Sequence, residues 1–340
     1  MKKISFIRQK YTPFGGAERY LERLINYLKD KNIECEIVHA NLPKWLPSWI
    51  KAILFNYKVC KNKKNRFYFS LDRISCPDIY RAGDGVHKAF LKTKGFSLNP
   101  LHLTYLYLEK KTFNNAKKII ANSILIKEEI IKYYKIDPKK IEVIYNGIEI
   151  KDFDKEKAKK ELQKEFKIDD EKIILFIGSG FKRKGAKEFL EIISQIDIDF
   201  KAFIVGKEKN ISFYKNYAKE LKIDKNVFFT GPRKDVDIFY AASDIFIFPT
   251  HYEPFSNVVL EAMSFENIVF TTKQNGASEI LKKEYIMQNP KDFSIVSKIK
   301  TLLNDEENLN KIQKEMKNIA KNYTIEKNAQ KTLEVINEFI

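Results

Sequence analysis

Two glutamates, Glu253 and Glu261, stand eight positions apart in "HYEPFSNVVLEA", residues 251–262. One lies ahead of an apolar run and the other inside it. A carboxylate accepts hydrogen bonds from two neighbouring hydroxyls, which suits a sugar or a ribose. Ser256 and Asn257 are good helix caps, so Glu253 is expected in a loop and Glu261 about two turns into the helix that follows. Taken alone, the pair reads as a helix-start acid and a solvent-facing one. A second stretch shifts that balance: "FIGSGFKRKGAKEF" packs Lys182, Arg183 and Lys184 into a glycine turn between a strand-like run and a helical pattern. Cations at such a turn neutralise a diphosphate, more strongly as it departs with extra charge. The spacing is not that of an ATP-binding P-loop, and no Ser or Thr follows Lys184 to hold magnesium.

Three further patterns invite chemistry. In "YTPFGGAERY", Gly15 and Gly16 open the first helix directly after the first strand, either to let a phosphate approach the helix N-terminus or to make a ligand-free turn. In "YRAGDGVHKAFL", Asp84 and His87 follow a strand, where an acid or histidine could orient an acceptor hydroxyl or shield a developing cation; a plain Gly-Asp-Gly turn is the equal alternative. His39 and His251 also stand at strand ends and read as structural. The D-x-D pairs Asp152/Asp154, Asp197/Asp199 and Asp235/Asp237 fall in charge runs or helices, so neither a metal nor another cofactor is expected.

The elements that must position these residues alternate. "ISFI", "AERYLERLINYLKD" and "ECEIVHA" open as β-α-β, and the same alternation returns from "KIILFIG" to "NIVFTT". Parallel strands joined by helices, twice over, predict an α/β protein of two doubly wound domains, residues 1–150 and 151–340, with C-terminal helices in the second. The junction is placed near 146–171, where Asn-Gly and a charge run break the pattern. Open α/β sheets bind ligands beyond the carboxyl ends of their strands, so two such domains would face a central cleft.

With 340 residues, 44% of them hydrophobic and 31% charged, the chain is globular and too long for one core. The apolar stretch before Arg8 is too short for a secretory signal, and no segment nears the ~18 apolar residues of a membrane span. Cys35, Cys60 and Cys76 lack metal spacing and are odd in number, which suits a reducing, cytoplasmic compartment and no disulfide framework. Residues 1–150 hold 29 Lys+Arg against 14 Asp+Glu, residues 151–340 hold 33 against 31. The first half therefore points toward something anionic. Residues 45–58, "WLPSWIKAILFNYK", place Trp45, Trp49, Ile53 and Tyr57 on one helical side and Lys44, Lys51 and Lys58 on another, a pattern of membrane interfaces and also of a helix packed on a sheet. A second basic and aromatic stretch, residues 87–111, contains Phe90, Lys92 and Lys94. A nucleic-acid footprint on the basic half would leave the glutamates and the cationic turn of the second half without a task.

Together, the glycine pair, "VIYNGI", "GSGFKRKG" and "EPFSNVVLEA" resemble the retaining family 4 glycosyltransferases of the GT-B fold, over nearly the whole chain. The glycine motifs are most similar to the branch that glucosylates the lipopolysaccharide core. The resemblance implies that Glu261 holds the nucleotide ribose and Glu253 the donor sugar. It places Phe255, Ser256 and Asn257 in a loop whose amides meet sugar and diphosphate, and Arg183 and Lys184 on the leaving diphosphate. It also sets Gly15, Gly16 and Ser179 beside the same phosphates; many relatives carry Arg where this chain has Ser179. Asp84, Glu253 and Lys184 become the catalytic candidates, and Asp84 and His87 the acceptor candidates. The implied partners are a UDP-sugar, a lipid-linked glycan and the anionic inner leaflet, with no nucleic acid. A nucleotide-sugar epimerase, or a transferase with another donor or acceptor, shares this fold.

Overall fold

Residues 3–10, 16–94 and 97–340 are described in a computed structural model of the chain. Gly15 and the side chain of Lys94 lie outside the described residues. The chain forms two compact units, residues 1–146 with 325–340 and residues 147–324.

The first unit has strands β1 (Ile4–Ile7), β2 (Cys35–Val38), β3 (Phe67–Ser70), β4 (Ile79–Ala82), β5 (Lys118–Ala121) and β6 (Ile141–Val143). Its helices are α1 (Gly16–Asp30), α2 (Ser48–Lys61), α3 (His87–Lys94), α4 (Pro100–Asn115) and α5 (Ile124–Tyr134). The second unit has α6 (Lys155–Phe166), β7 (Lys172–Ile177), α7 (Phe181–Lys184), α8 (Ala186–Ile193), β8 (Phe200–Val205), α9 (Ile211–Glu220), β9 (Val227–Gly231) and α10 (Val236–Ala242). It continues with β10 (Ile245–Phe248), α11 (Asn257–Ser264), β11 (Ile268–Thr272), β12 (Ile286–Met287), α12 (Ile295–Asn304) and α13 (Glu306–Ala320). The last helix, α14 (Ile325–Asn337), returns to the first unit.

Both sheets are parallel throughout, in the orders β2-β1-β3-β4-β5-β6 and β12-β11-β10-β7-β8-β9. The α/β architecture expected from the alternating pattern is therefore present in each unit. Strands β1, β3, β7 and β10 are buried along almost their whole length, as strands covered on both faces must be. Each sheet reverses its strand order beside its first strand, between β1 and β3 in one and between β7 and β10 in the other. Loops leaving neighbouring strands diverge there, which makes the place a crevice.

Two expectations are corrected. Residues 151–340 do not stay together: Ala329, Val335 and Ile336 of α14 are buried with Ile4, Phe6, Leu21 and Leu28 in the first unit's core. An amphipathic helix goes where its apolar stripe finds a partner, and α1 supplies that partner. The cysteines also pair, for Cys60 at the end of α2 and Cys76 after β3 form a disulfide, leaving Cys35 free. Sixteen positions separate the two in sequence, and the packing of Phe55 and Val59 on Tyr68 and Ile74 closes that gap.

Candidate active site

In the second unit, β7 ends at Ile177 and the chain turns through Gly178, Ser179 and Gly180 into α7, whose four residues carry Arg183 and Lys184. Gly185, at φ +81°, then leads into α8. A Cβ on Gly185 would stand 1.9 Å from the Pro249 carbonyl oxygen, so only glycine lets this turn lie against the loop that leaves β10. That loop is stitched to the same place. The Thr250 hydroxyl and the His251 amide both donate to the Arg183 carbonyl at 3.0 Å, and Arg183 Nη1 donates to the Tyr252 carbonyl at 3.0 Å. His251 Nε2 and Glu188 Oε1, 3.0 Å apart, add a tie from α8. Burial would raise the Glu188 carboxyl, but the bond from His251 leads the effects that leave it below its usual value.

The stitching brings together what the sequence set 69 and 70 positions apart. Glu253 Oε2 receives both Arg183 Nη1 and Lys184 Nζ, and the Lys184 ammonium sits 5.1 Å from the Phe248 ring centre. Burial draws the Lys184 ammonium below its usual value, against the opposing pull of Glu253. Glu253 itself is held at both backbone groups: its amide donates to the Gln274 carbonyl and its carbonyl accepts from the Gly276 amide, each at 3.0 Å. The place thus combines two cations, one carboxylate and a glycine turn at a strand-order reversal, an arrangement that fits a phosphorylated ligand.

The other sequence candidates take separate positions. Glu261 lies in α11, four residues past Asn257, and Glu261 Oε2 accepts from the buried Tyr240 hydroxyl at 3.0 Å. Phe255 and Ser256 are buried, and the Ser256 amide donates to Asn275 Oδ1 at 3.2 Å, so this amide already has an acceptor. Ser179 Oγ accepts from the Lys207 amide at 3.2 Å, while Glu208 takes the Phe181 amide at 2.8 Å and so occupies the N-terminus of α7. Asp154 caps α6, Asp197 pairs with Lys300, Asp235 with Arg233 and Asp237 with Lys151, so these members of the D-x-D pairs have protein partners.

In the first unit, Gly16 is the first residue of α1, and the reversal point holds Arg8 just past β1 and Asp72 just past β3. Arg8 donates to Glu18 Oε1 at 3.2 and 3.0 Å and to Asp72 Oδ1 at 3.2 Å. Burial raises the Asp72 carboxyl against the opposing effect of Arg8. Asp84 is exposed in the turn after β4 and contributes to holding Arg8 charged. His87 is not a surface group beside it: it is buried, with Nε2 3.0 Å from Nδ1 of the buried His102. It starts α3, whose His87 and Lys88 amides donate to the fully buried Glu109 at 2.7 and 3.3 Å. Arg73 Nε and the Tyr134 hydroxyl complete the coordination of that carboxylate, at 3.0 and 2.5 Å. Arg8, Asp72, Arg73 and Glu109 carry no local motif and were missed from sequence; the one signal for the first two was their position just after strands.

The proposed membrane helix shows its aromatic side. α2 buries Ala52, Phe55 and Val59, and leaves Trp49, Ile53 and Tyr57 exposed in a stripe that Trp45, 80% exposed, extends past the helix start. Lys51 is half-buried and donates to the Lys44 carbonyl at 2.9 Å. Phe90 is half-buried with its ring 6.0 Å from that of His87, and Lys92 is exposed with its ammonium 4.9 Å from the Tyr133 ring centre. On α4, which packs against α2, Leu103 and Tyr107 are exposed one turn apart.

Comparison with known proteins agrees with this arrangement. The family described as "Glycosyl transferases group 1" matches residues 157–323, and "Glycosyltransferase Family 4" matches residues 65–152. The lipopolysaccharide glucosyltransferase WaaG of Escherichia coli is 25% identical over 299 residues, covering 79% of this chain and 80% of that protein. The capsular polysaccharide biosynthesis glycosyltransferase CapM of Staphylococcus aureus is 30% identical over 224 residues, 63% of this chain and 58% of that protein. The crystal structure of WaaG superposes with a TM-score of 0.80 at 19% identity, covering 98% of this chain and 99% of that one. Anabaena HepE in complex with UDP-glucose gives 0.77 at 19% identity over 100% of both chains.

Proposed function

The chain is a nucleotide-sugar-dependent glycosyltransferase of family 4 with the GT-B fold, related to WaaG, and on that premise we propose that it transfers a hexose with retention at the anomeric carbon. The donor in this reading is UDP-glucose. The acceptor is a core sugar of a lipid-linked lipopolysaccharide or lipooligosaccharide, reached by a cytoplasmic enzyme resting on the inner leaflet. The observation that carries it is the joining of Arg183, Lys184 and Glu253 at the crevice between β7 and β10.

Cleavage of the sugar to phosphate bond leaves positive charge on the anomeric carbon and adds negative charge to the diphosphate. Arg183 and Lys184 stabilise the second, in a half-enclosed place where charge interactions outweigh those in water. They do the work of a metal ion, so none is required. The acceptor oxygen bonds to the anomeric carbon on the face the phosphate leaves, and its proton passes to a phosphate oxygen. In this reading Glu261 takes the ribose hydroxyls and Glu253 those of the sugar, while Phe255, Ser256, Asn257 and Ser179 line the phosphate and sugar path. Asp84 is the acceptor-side candidate; the burial of His87 gives it a positioning role at the start of α3.

Membrane docking rests on the exposed stripe of Trp45, Trp49, Ile53 and Tyr57 and on the basic balance of the first 150 residues. Among the described residues, no helix is long and apolar enough to cross a membrane.

The test is a transfer assay with UDP-glucose, UDP-galactose and GDP-mannose on a truncated core acceptor, with and without EDTA. Glucose transfer from UDP-glucose with an α-linked product, unchanged by EDTA, is the expected result. Loss of activity in EDTA that magnesium restores would overturn the metal-free mechanism. Transfer from another donor alone would replace UDP-glucose, and epimerisation of the donor would replace transfer itself.

A further inference from the structure

The two cations assigned to the diphosphate and the carboxylate assigned to the sugar are bound to one another. All three cannot keep that arrangement and also serve the donor. A diphosphate oxygen seeking Arg183 and Lys184 finds Glu253 Oε2 already there, and two like charges at one position repel. The carboxylate is also half committed, because both cations share Oε2 and leave Oε1 to accept from sugar hydroxyls.

The surroundings allow movement at one point. The backbone of Glu253 is pinned on both sides by Gln274 and Gly276, and Arg183 is pinned through its carbonyl and through Tyr252. What remains free to turn is the Glu253 side chain, and the Lys184 ammonium, which donates to it, can follow. Two buried polar atoms near it, Ser256 Oγ and Gln274 Oε1, have no hydrogen-bond partner among the described residues. The Ser256 hydroxyl is a donor that a carboxylate can accept from, whereas Gln274 Oε1 is an acceptor and is not a partner for it. Glu208, by contrast, is committed to the Phe181 and Asn210 amides, at 2.8 and 3.0 Å.

Resting on the donor reading above, we infer that Glu253 is an exchangeable internal anion: it holds Arg183 and Lys184 in place without ligand, gives them up to the diphosphate of the donor, and regains acceptor hydrogen bonds on the donor's sugar. The consequence is selectivity between donor and product. A sugar diphosphate displaces Glu253 and offers it hydroxyls in return. A free nucleoside diphosphate displaces it and offers nothing. After transfer, Glu253 therefore competes for the cations and hastens release of the spent diphosphate, which often limits turnover.

The experiment measures UDP and UDP-glucose binding by calorimetry to the wild-type chain, Glu253→Gln and Glu253→Ala, with product inhibition by UDP as a second readout. An affinity reduced by the population of a closed state is recovered when that state is weakened. UDP should therefore bind either variant tighter, by roughly ten-fold in the same terms, and inhibit at lower concentration. UDP-glucose should gain less, since it loses its contact to the carboxylate. Equal UDP affinity in wild type and both variants overturns the exchange while leaving the donor reading intact. Weaker UDP binding in both overturns it too, and makes Glu253 the group that keeps Lys184 charged. A wild-type chain that binds neither UDP nor UDP-glucose overturns the donor reading itself.

Discussion

Each sheet builds a charged cluster where its strand order reverses, and the two clusters are close to mirror images. In the first unit one cation, Arg8, is enclosed by two acids, Glu18 and Asp72, with Asp84 adding to the negative side. In the second, one acid, Glu253, is shared by two cations, Arg183 and Lys184. The same topological place therefore carries opposite excess charge. An excess of cations suits a departing diphosphate, and an excess of acids suits hydroxyl groups or a carbon that turns positive. The comparison also separates two kinds of basicity. The first 150 residues hold the larger positive balance, yet the cluster at Arg8 sets two acids against one cation, so that balance comes from residues outside the cluster.

The sharpest way to break the comparison is Lys184→Ala. Removing a preorganised cation from the place where charge develops should lower kcat/KM by ~10²–10³-fold, as removal of a comparable oxyanion donor does. An effect under ten-fold would put the diphosphate elsewhere. Next is Arg8→Met, which leaves Glu18 and Asp72 without their shared partner. Breaking a largely buried pair costs about 3 kcal/mol, somewhat less here because the site is not fully enclosed. Thermal unfolding should show that loss with UDP affinity unchanged. Unchanged stability and weakened UDP binding would instead make the first crevice part of the phosphate site. The smallest change concerns the outer face: Trp45→Ala with Trp49→Ala should weaken sedimentation with anionic vesicles without altering UDP binding. Undiminished vesicle binding would move the docking surface to Leu103 and Tyr107.

What could be read in advance was whatever is written locally. The glycine turn after β7, the Glu253/Glu261 spacing and the strand-helix alternation are each contained in a dozen or so residues; Glu253 took its loop and Glu261 its helix, though four residues past the helix start and so nearer one turn in than two. The opposite holds for the polar network under α3. Arg73 meets Glu109 across 36 positions and Arg8 meets Asp72 across 64, and no periodicity marks either pair. His87 illustrates the same limit. Its place after a strand suggested a group able to orient an acceptor hydroxyl, but capping of its amide by Glu109 and the approach of His102 are tertiary events, and the ring is buried. The lysine periodicity of residues 44–58 left open which side of α2 faces outward, and packing of Phe55 and Val59 settled that only in three dimensions.

The return of α14 to the first unit has a consequence for the order of assembly. Residues 147–324 form one uninterrupted segment and contain everything their sheet requires. The first unit does not: its apolar groove over α1 stays open until Ala329, Val335 and Ile336 arrive. On the ribosome, where chains emerge N-terminus first, the unit begun first is therefore the one completed last.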